Sequence, residues 1–371
     1  MIIATVVKTH IMQFHIPTLK LFKDMGWETA VAARNDYEHP EDCQIPYCDQ
    51  FYDIPFERSP FMPKNLQCYK KLKKVIDSGD FQIIHCHTPV GGVLGRLAAR
   101  KARKDGARVL YTAHGFHFYK GAPLKNWLLF YPVEYVCARY ADAILTINKE
   151  DWKFAEKHFQ NTRIFYLPGI GVDTDSYLQA PDCHMDLRRS LGLRPDAKVV
   201  ITVGEMTLNK NQKTMIKALT FPQLKDVHYL IVGDGVNRTW LEDYAAQLNV
   251  RDRVHFLGYR KDVAMLLHAS DVFAFPTYRE GLSVAVMEAM AAGLPVVASR
   301  VRGNVDLIQD GVNGFLCDPD DAQGFADKIR TFLDNPRLAE ELRSNGLLKI
   351  KGFDMRIVIQ QLWEIYNAMK G

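Results

Sequence analysis

The stretch FPTYREGLSVAVMEAMAAGLPVVAS, residues 275–299, decides how this chain folds. An apolar run ending at Phe275 meets Pro276, which cannot donate to a sheet ladder. A short polar turn follows, carrying Glu280 and Gly281. Helix-favouring residues then occupy about 283–292, until Gly293 and Pro295 stop them before the next apolar strand, 296–299. Such a strand–turn–helix aims a helix N-terminus at the carboxyl edge of a parallel sheet. Free backbone N–H groups and the helix dipole favour a diphosphate there, and Gly281 lets the backbone approach it closely. Glu280 lies in the turn, beside whatever the diphosphate carries. Glu288 lies about two turns into the helix, where a carboxylate can accept paired hydrogen bonds from ribose hydroxyls. A strand, a turn and a helix bearing two solvated acids would show the same spacing.

The same alternation extends in both directions. Residues 1 to about 175 predict strands at 2–7, 29–33, 82–86, 108–112, 143–147 and 163–167, with helices at 13–25, 65–78, 92–104 and 123–140. Strands separated by helices of this length imply right-handed crossovers and a parallel sheet. PGIGVDTDSYLQAP, 168–181, is rich in Gly, Pro and Asp, has no periodicity, and reads as an interdomain linker. A second series runs from KVVITVG at 198 through HYLIVGDG, RVHFLGY, DVFAFP and PVVAS to GFLCDP. The last 18 residues, 354–371, predict an amphipathic helix with Ile357, Leu362, Ile365 and Tyr366 on its apolar side. Two α/β domains are implied, 1–175 and 176–353, of sizes that suit a chain of 371 residues.

Composition narrows the function classes. Hydrophobic residues make up 47% and charged residues 24%, values of a soluble globular protein. No apolar run approaches the roughly 18–20 residues that span a bilayer. MIIATVVKTH at the start lacks the basic, apolar and cleavage regions of a signal peptide. The 7 cysteines form no Cys-x-x-Cys, so reduced thiols in a cytoplasmic protein are expected. Net charge is only +4, but residues 58–108 hold 12 basic and 3 acidic side chains. KKLKK (70–74) and RLAARKARK (96–104) carry most of that excess. They read either as solvated helix faces or as a surface for anionic lipid. No nucleic-acid recognition motif accompanies them. LKNWLLFYPVEYV, 124–136, is unusually aromatic. It reads as helix core, or as a face presenting Trp127, Phe130 and Tyr131 to a membrane interface. The tripeptide GDG at 233–235 is too short for a dinucleotide fingerprint.

Four segments taken together, TAHGFHFYKG (112–121), PGIGVD (168–173), VGE…NKN (203–211) and YREGL…VMEAM (278–290), resemble glycosyltransferase family 4. More narrowly, they are similar to its bacterial members that assemble capsular and exopolysaccharide. Members are retaining enzymes of the GT-B fold: two doubly wound, Rossmann-like domains facing a cleft, with a C-terminal helix crossing back to the first. The resemblance implies that Glu280 contacts the donor sugar, Glu288 the ribose, and Gly281, Leu282 and Ser283 the diphosphate. Gly204 and Lys210 match the family's diphosphate loop, but Glu205 stands where the family has Arg. Arg279 or Arg302 could supply the missing cation, since a lysine alone lacks the bidentate geometry of guanidinium. Tyr259 and Arg260 resemble the base contacts, or form a plain polar turn. His114 matches a family histidine near the reacting sugar. His10, Gln13, His87 and His117 fall on the acceptor side. His85 and His87 could bind a metal, but the sequence shows no third ligand, and the family implies neither metal nor cofactor. The implied reaction moves a hexose or N-acetylhexosamine from a nucleotide sugar, expected to be UDP-linked, to a polyprenyl-diphosphate-linked glycan at the inner face of the membrane. A UDP-N-acetylglucosamine epimerase of the same fold, or a non-catalytic nucleotide-sugar binder, would carry many of the same residues.

Overall fold

A computed structural model describes residues 1–57, 59, 62–179 and 184–370. The chain divides by packing into two compact units, Met1–Ile170 with Val358–Gly371, and Gly171–Ile357. Each is an all-parallel sheet among the described residues. All-parallel sheets are covered on both faces, so their strands are near-continuous apolar runs.

The first unit contains β1 (Ile2–Val6), β2 (Ala30–Arg34), β3 (Gln50–Asp53), β4 (Ile83–His87), β5 (Arg108–Ala113), β6 (Ala143–Thr146) and β7 (Arg163–Tyr166), in the order β3-β2-β1-β4-β5-β6-β7. Sequence periodicity missed β3. It is an edge strand with Gln50, Phe51 and Asp53 exposed, so it lacks the apolar run that marks its neighbours. The second unit contains β8 (Lys198–Val203), β9 (Val227–Val232), β10 (Val254–Gly258), β11 (Val272–Phe275), β12 (Val296–Ser299) and β13 (Phe315–Cys317), ordered β10-β9-β8-β11-β12-β13. In both sheets the order reverses once, between β1 and β4 and between β8 and β11. Crossovers leave for opposite faces at that point, opening a crevice at the strand carboxyl ends.

The C-terminal helix, Met355–Lys370, packs on the first unit from Val358 onward. Val358, Leu362, Ile365, Tyr366 and Met369 share a buried cluster with Phe22, Ile83, Leu110, Ala143 and Leu145. Full burial of side chains of this size contributes about 1.5–3 kcal/mol each. Ile357, read as part of the apolar side, is 41% exposed, while Val358 is buried in its place. The stripe runs 358, 362, 365, 366, 369, and position 357 falls outside it.

Three further readings are corrected. The stretch 168–181 is not wholly irregular: Thr174–Leu178 is helical, with Asp173 accepting from the Ser176 N–H as its cap. Ala180 and Pro181 of that stretch lie outside the described residues. Arg96 belongs to no surface. It is fully buried, donates to Glu134 at 2.8 Å and to the Gly92 carbonyl at 2.8 Å, and lies 3.9 Å from the Tyr111 ring centre. In the helix Leu124–Ala138, Trp127, Phe130 and Tyr131 pack against the core. Leu124 (73% exposed), Leu128 (68%), Leu129, Val133 and Val136 form its outer side instead.

Candidate active site

The second unit's crevice is built by the loops after β8 and β11. Asn209 knits them together: its carbonyl accepts from Tyr278 N–H at 2.8 Å and from Thr277 Oγ1 at 3.0 Å, and its Nδ2 donates to the Arg279 carbonyl at 3.0 Å. Asn211, at φ +56°, donates through Nδ2 to the carbonyls of Pro276 and Pro319, both at 2.8 Å. Asparagine tolerates this left-handed backbone better than most residues, and here its side chain also satisfies two carbonyls. Lys210, held between the two asparagines, extends over the Phe275 ring at 4.8 Å. Its Nζ donates to Glu280 Oε1 at 2.8 Å, and Thr277 Oγ1 donates to the same oxygen at 2.9 Å. Two motifs 70 residues apart thus meet side chain to side chain through the Lys210–Glu280 hydrogen bond.

Close backbone packing forms the floor. A Cβ on Gly233 would lie 2.3 Å from the Gly204 carbonyl oxygen, and one on Gly303 would lie 2.5 Å from the Gly281 carbonyl oxygen. Gly303 also has φ +84°, so the position is closed to other residues on two counts. It brings the loop after β12 against Gly281. Arg302, from that loop, is 8% exposed and donates through Nε to the Glu280 carbonyl at 3.3 Å. Arg279, weighed first in the sequence, has an exposed side chain and contributes its carbonyl to Asn209. Glu205 is exposed, and its carbonyl takes Gln212 Nε2 at 3.2 Å.

Helix Val284–Ala291 begins at Ser283, whose buried hydroxyl accepts from the Val286 N–H. Capping of this kind satisfies one of the orphan donors of a helix start and leaves others for an anion. Leu282 is buried beside it. Glu288 Oε1, further along the helix, accepts from the Tyr177 hydroxyl at 2.6 Å. Burial raises the Glu288 carboxyl above its ordinary value, with the Tyr177 hydrogen bond opposing that shift. Burial and the adjacent Glu288 also raise the Tyr177 phenol. Tyr259 is 73% exposed, and Arg260 is paired with Asp262 at 2.7 and 2.5 Å.

In the first unit, the crevice between β1 and β4 is lined by histidines. A π-helical turn, Val7–Ile11, follows β1 directly and carries His10. π-turns are rare and concentrate at functional sites. His15 Nε2 lies 3.0 Å from His10 Nδ1, and His87 Nδ1 lies 3.2 Å from His114 Nε2. His85, at the centre of β4, bonds Tyr366 Oη through Nδ1 at 2.5 Å and Thr112 Oγ1 through Nε2 at 2.8 Å. Burial holds all five imidazoles below their ordinary value, His114 at about 4 and His85 at about 3. The structure brings His114, expected near the reacting sugar, together with His10 and His87, expected on the acceptor side, and adds His15, which the sequence did not single out. Gln13 is exposed, and the His117 ring packs on Phe130 at 4.7 Å instead.

Comparison with known proteins adds the family. Residues 185–348 match the family described as "Glycosyl transferases group 1", and residues 2–148 match "Glycosyl transferase 4-like". Over 364 residues the chain is 41% identical to EpsD, a candidate glycosyltransferase of Bacillus subtilis, with 97% of this chain and 94% of the relative covered. This chain is a family 4 glycosyltransferase. The transferase is also 27% identical to the Escherichia coli UDP-Gal:α-D-GlcNAc-diphosphoundecaprenol α-1,3-galactosyltransferase, across 82% of this chain and 80% of that one. Its fold is GT-B. The crystal structure of Anabaena HepE in complex with UDP and glucose superposes with TM-score 0.81 at 22% identity, covering 99% and 98% of the two chains. WaaG, a glycosyltransferase involved in lipopolysaccharide biosynthesis, superposes at 0.76 with 19% identity, each chain 98% covered. No helix of the transferase, among the described residues, is long and apolar enough to cross a membrane.

Sequence reasoning missed Tyr177, Thr277, Asn209, Asn211 and His15. All but His15, which bonds His10 five residues away, hold a neighbour that is distant in sequence. The NKN triplet was the one local sign of them.

Proposed function

We propose that this transferase moves a hexose or N-acetylhexosamine, with retention, from a UDP-sugar to a glycan carried on a polyprenyl diphosphate. The observation that carries the reading is the single hydrogen bond between Lys210 and Glu280, beside the Gly281–Ser283 helix start. A nucleotide sugar has its diphosphate bonded directly to the sugar's anomeric carbon. A diphosphate cation and a sugar-hydroxyl acceptor must therefore lie side by side, as these two do. Glu288, deeper on the same helix, would take the ribose, and Tyr259 with Arg260 the base. The donor named for the E. coli relative and the UDP bound to HepE support the nucleotide. That relative's diphosphoundecaprenol acceptor supports the lipid-linked glycan.

In the reaction, the anomeric carbon–phosphate oxygen bond breaks as the acceptor oxygen bonds to the same face of the sugar. The acceptor proton passes to the departing phosphate oxygen. Lys210, the N–H groups at Gly281–Ser283 and Arg302 stabilise charge growing on the leaving diphosphate. Arg302 is preferred to Arg279 because its Nε already sits on the Glu280 carbonyl. His114, with His10, His87 and His117 from the first unit, would lie toward the acceptor. The inner membrane face is the proposed place of work. The outward leucines and valines of helix Leu124–Ala138 offer an apolar surface, and the basic Lys70–Lys74 and Arg100–Lys104 segments an anion-attracting one.

Screening sugar nucleotides by thermal shift, then mass spectrometry of products on polyprenyl-diphosphate sugars, tests the reading. One UDP-sugar should stabilise the protein and add one sugar to the acceptor with retained configuration. Epimerisation of free sugar nucleotide without any acceptor would overturn it.

A further inference from the structure

We propose that His10, His15 and His114 bind one divalent ion of the zinc class in the first unit. Three nitrogen donors, one from each ring, all lie within 4.8 Å of one another, and the His10 and His15 donors are already 3.0 Å apart. Nitrogen ligands at 2.0–2.1 Å from a tetrahedral ion are spaced by about 3.3 Å. The His10–His15 spacing is close to that value, and the His114 donor lies within 4.8 Å of both.

The metal class follows from the donors. No carboxylate belongs to the trio, which disfavours magnesium, calcium and manganese and favours zinc, cobalt, nickel or copper. Three protein ligands leave one position open for an oxygen ligand.

His87 supplies the outer support that such a site needs. A ligating histidine normally passes its second N–H to a fixed acceptor, which sets its tautomer. With His114 Nε2–H donating to His87 Nδ1, His114 Nδ1 is left for the ion. His87 must then carry its own proton on Nε2, a buried atom with no hydrogen-bond partner among the described residues. An oxygen ligand in the open position would give that N–H an acceptor. The sequence had paired His85 with His87 as the candidate ligands. The fold instead commits both ring nitrogens of His85 to Tyr366 and Thr112.

The full chain, purified without a histidine tag and stripped by a chelator, would be titrated with Co²⁺ and followed by visible absorption. Zn²⁺ stoichiometry would be measured in parallel by calorimetry and elemental analysis. One equivalent per chain should bind, with the intense d–d bands of tetrahedral cobalt. His10→Ala and His15→Asn should each abolish the band while keeping the native circular dichroism spectrum. His87→Asn should weaken binding by about 10–100-fold, the usual effect of losing an outer partner. His255→Ala, which breaks the separate His228–His255 pair in the second unit (3.1 Å), should leave binding unchanged. The proposal is overturned by the absence of a stoichiometric band, or by a band that survives His10→Ala and His15→Asn.

Discussion

The two crevices share one topology and hold opposite chemistry. Around β8 and β11 the side chains are charged and paired across loops: Lys210 with Glu280, Arg302 on the Glu280 carbonyl, Glu288 under Tyr177. Around β1 and β4 they are neutral imidazoles bonded to one another, to Thr112 and to Tyr366. A doubly wound sheet supplies a place at its strand ends, and the loops alone decide what that place binds. The charged crevice suits a ligand that arrives carrying negative charge. The neutral one suits hydroxyls or an ion that needs lone pairs.

The largest expected effect lies on the charged side. Lys210→Ala should reduce turnover by roughly 2.7–4 kcal/mol of transition-state stabilisation, on the scale of a lost oxyanion donor. Arg302→Ala should follow, lowering kcat more than donor affinity, because charge on the diphosphate grows as the bond breaks. Arg279→Ala should be mild. Steady-state transfer assays on the three variants decide the order; near-normal turnover in Arg302→Ala removes that arginine from the site.

Glu288→Ala should weaken UDP binding by about 1.5–3 kcal/mol, the worth of a hydrogen bond to a charged group. Glu280→Gln should spare UDP and weaken the sugar-bearing donor. Calorimetry with both ligands separates the two, and equal loss for UDP and the full donor in Glu280→Gln would contradict the split.

Tyr177→Phe should cost UDP affinity about 0.5–1.5 kcal/mol, by releasing Glu288 from the 2.6 Å hydrogen bond that holds it. The pH dependence has a definite sign. Burial already raises the Glu288 carboxyl, so UDP affinity should be full above that raised value and fall as acid protonates it. Removing the tyrosine hydrogen bond, which opposes the shift, should move the fall to higher pH. A UDP titration series that is flat through mild acid in both proteins would break the link between Glu288 and ribose.

The smallest effects are expected at the outer surface of the first unit. Binding to anionic vesicles should weaken with salt and with Lys73→Glu plus Lys74→Glu, and also with Leu124→Ser plus Leu128→Ser. Flotation measures this, and salt-independent binding would return the lysines to a plain solvated face.

Strands with strong apolar runs were legible, because burial on both faces leaves no room for polar alternation. The polar edge strand β3 was not, for it carries no such signal. The same contrast holds in the site. Glu280, Gly281, Ser283 and Glu288 could be read from residues 275–299, since a strand, a turn and a helix place them by local geometry alone. The choice of Arg302 over Arg279 could not, because it depends on how tightly the loop after β12 packs on Gly281. Tyr177 sits in a stretch that looked like linker, yet it reaches a carboxylate 111 residues away.

Local periodicity and turn chemistry by themselves determined two parallel α/β sheets, the strand–turn–helix that starts at Ser283, and the acids around it. Only tertiary structure decided which cation joins Glu280, what holds Glu288, and that histidines from the β1 turn and the end of β5 converge. Those are contacts between loops, strand ends and helices that lie close in the fold but far apart in the chain. Strand order sets them, and no local pattern of residues encodes strand order.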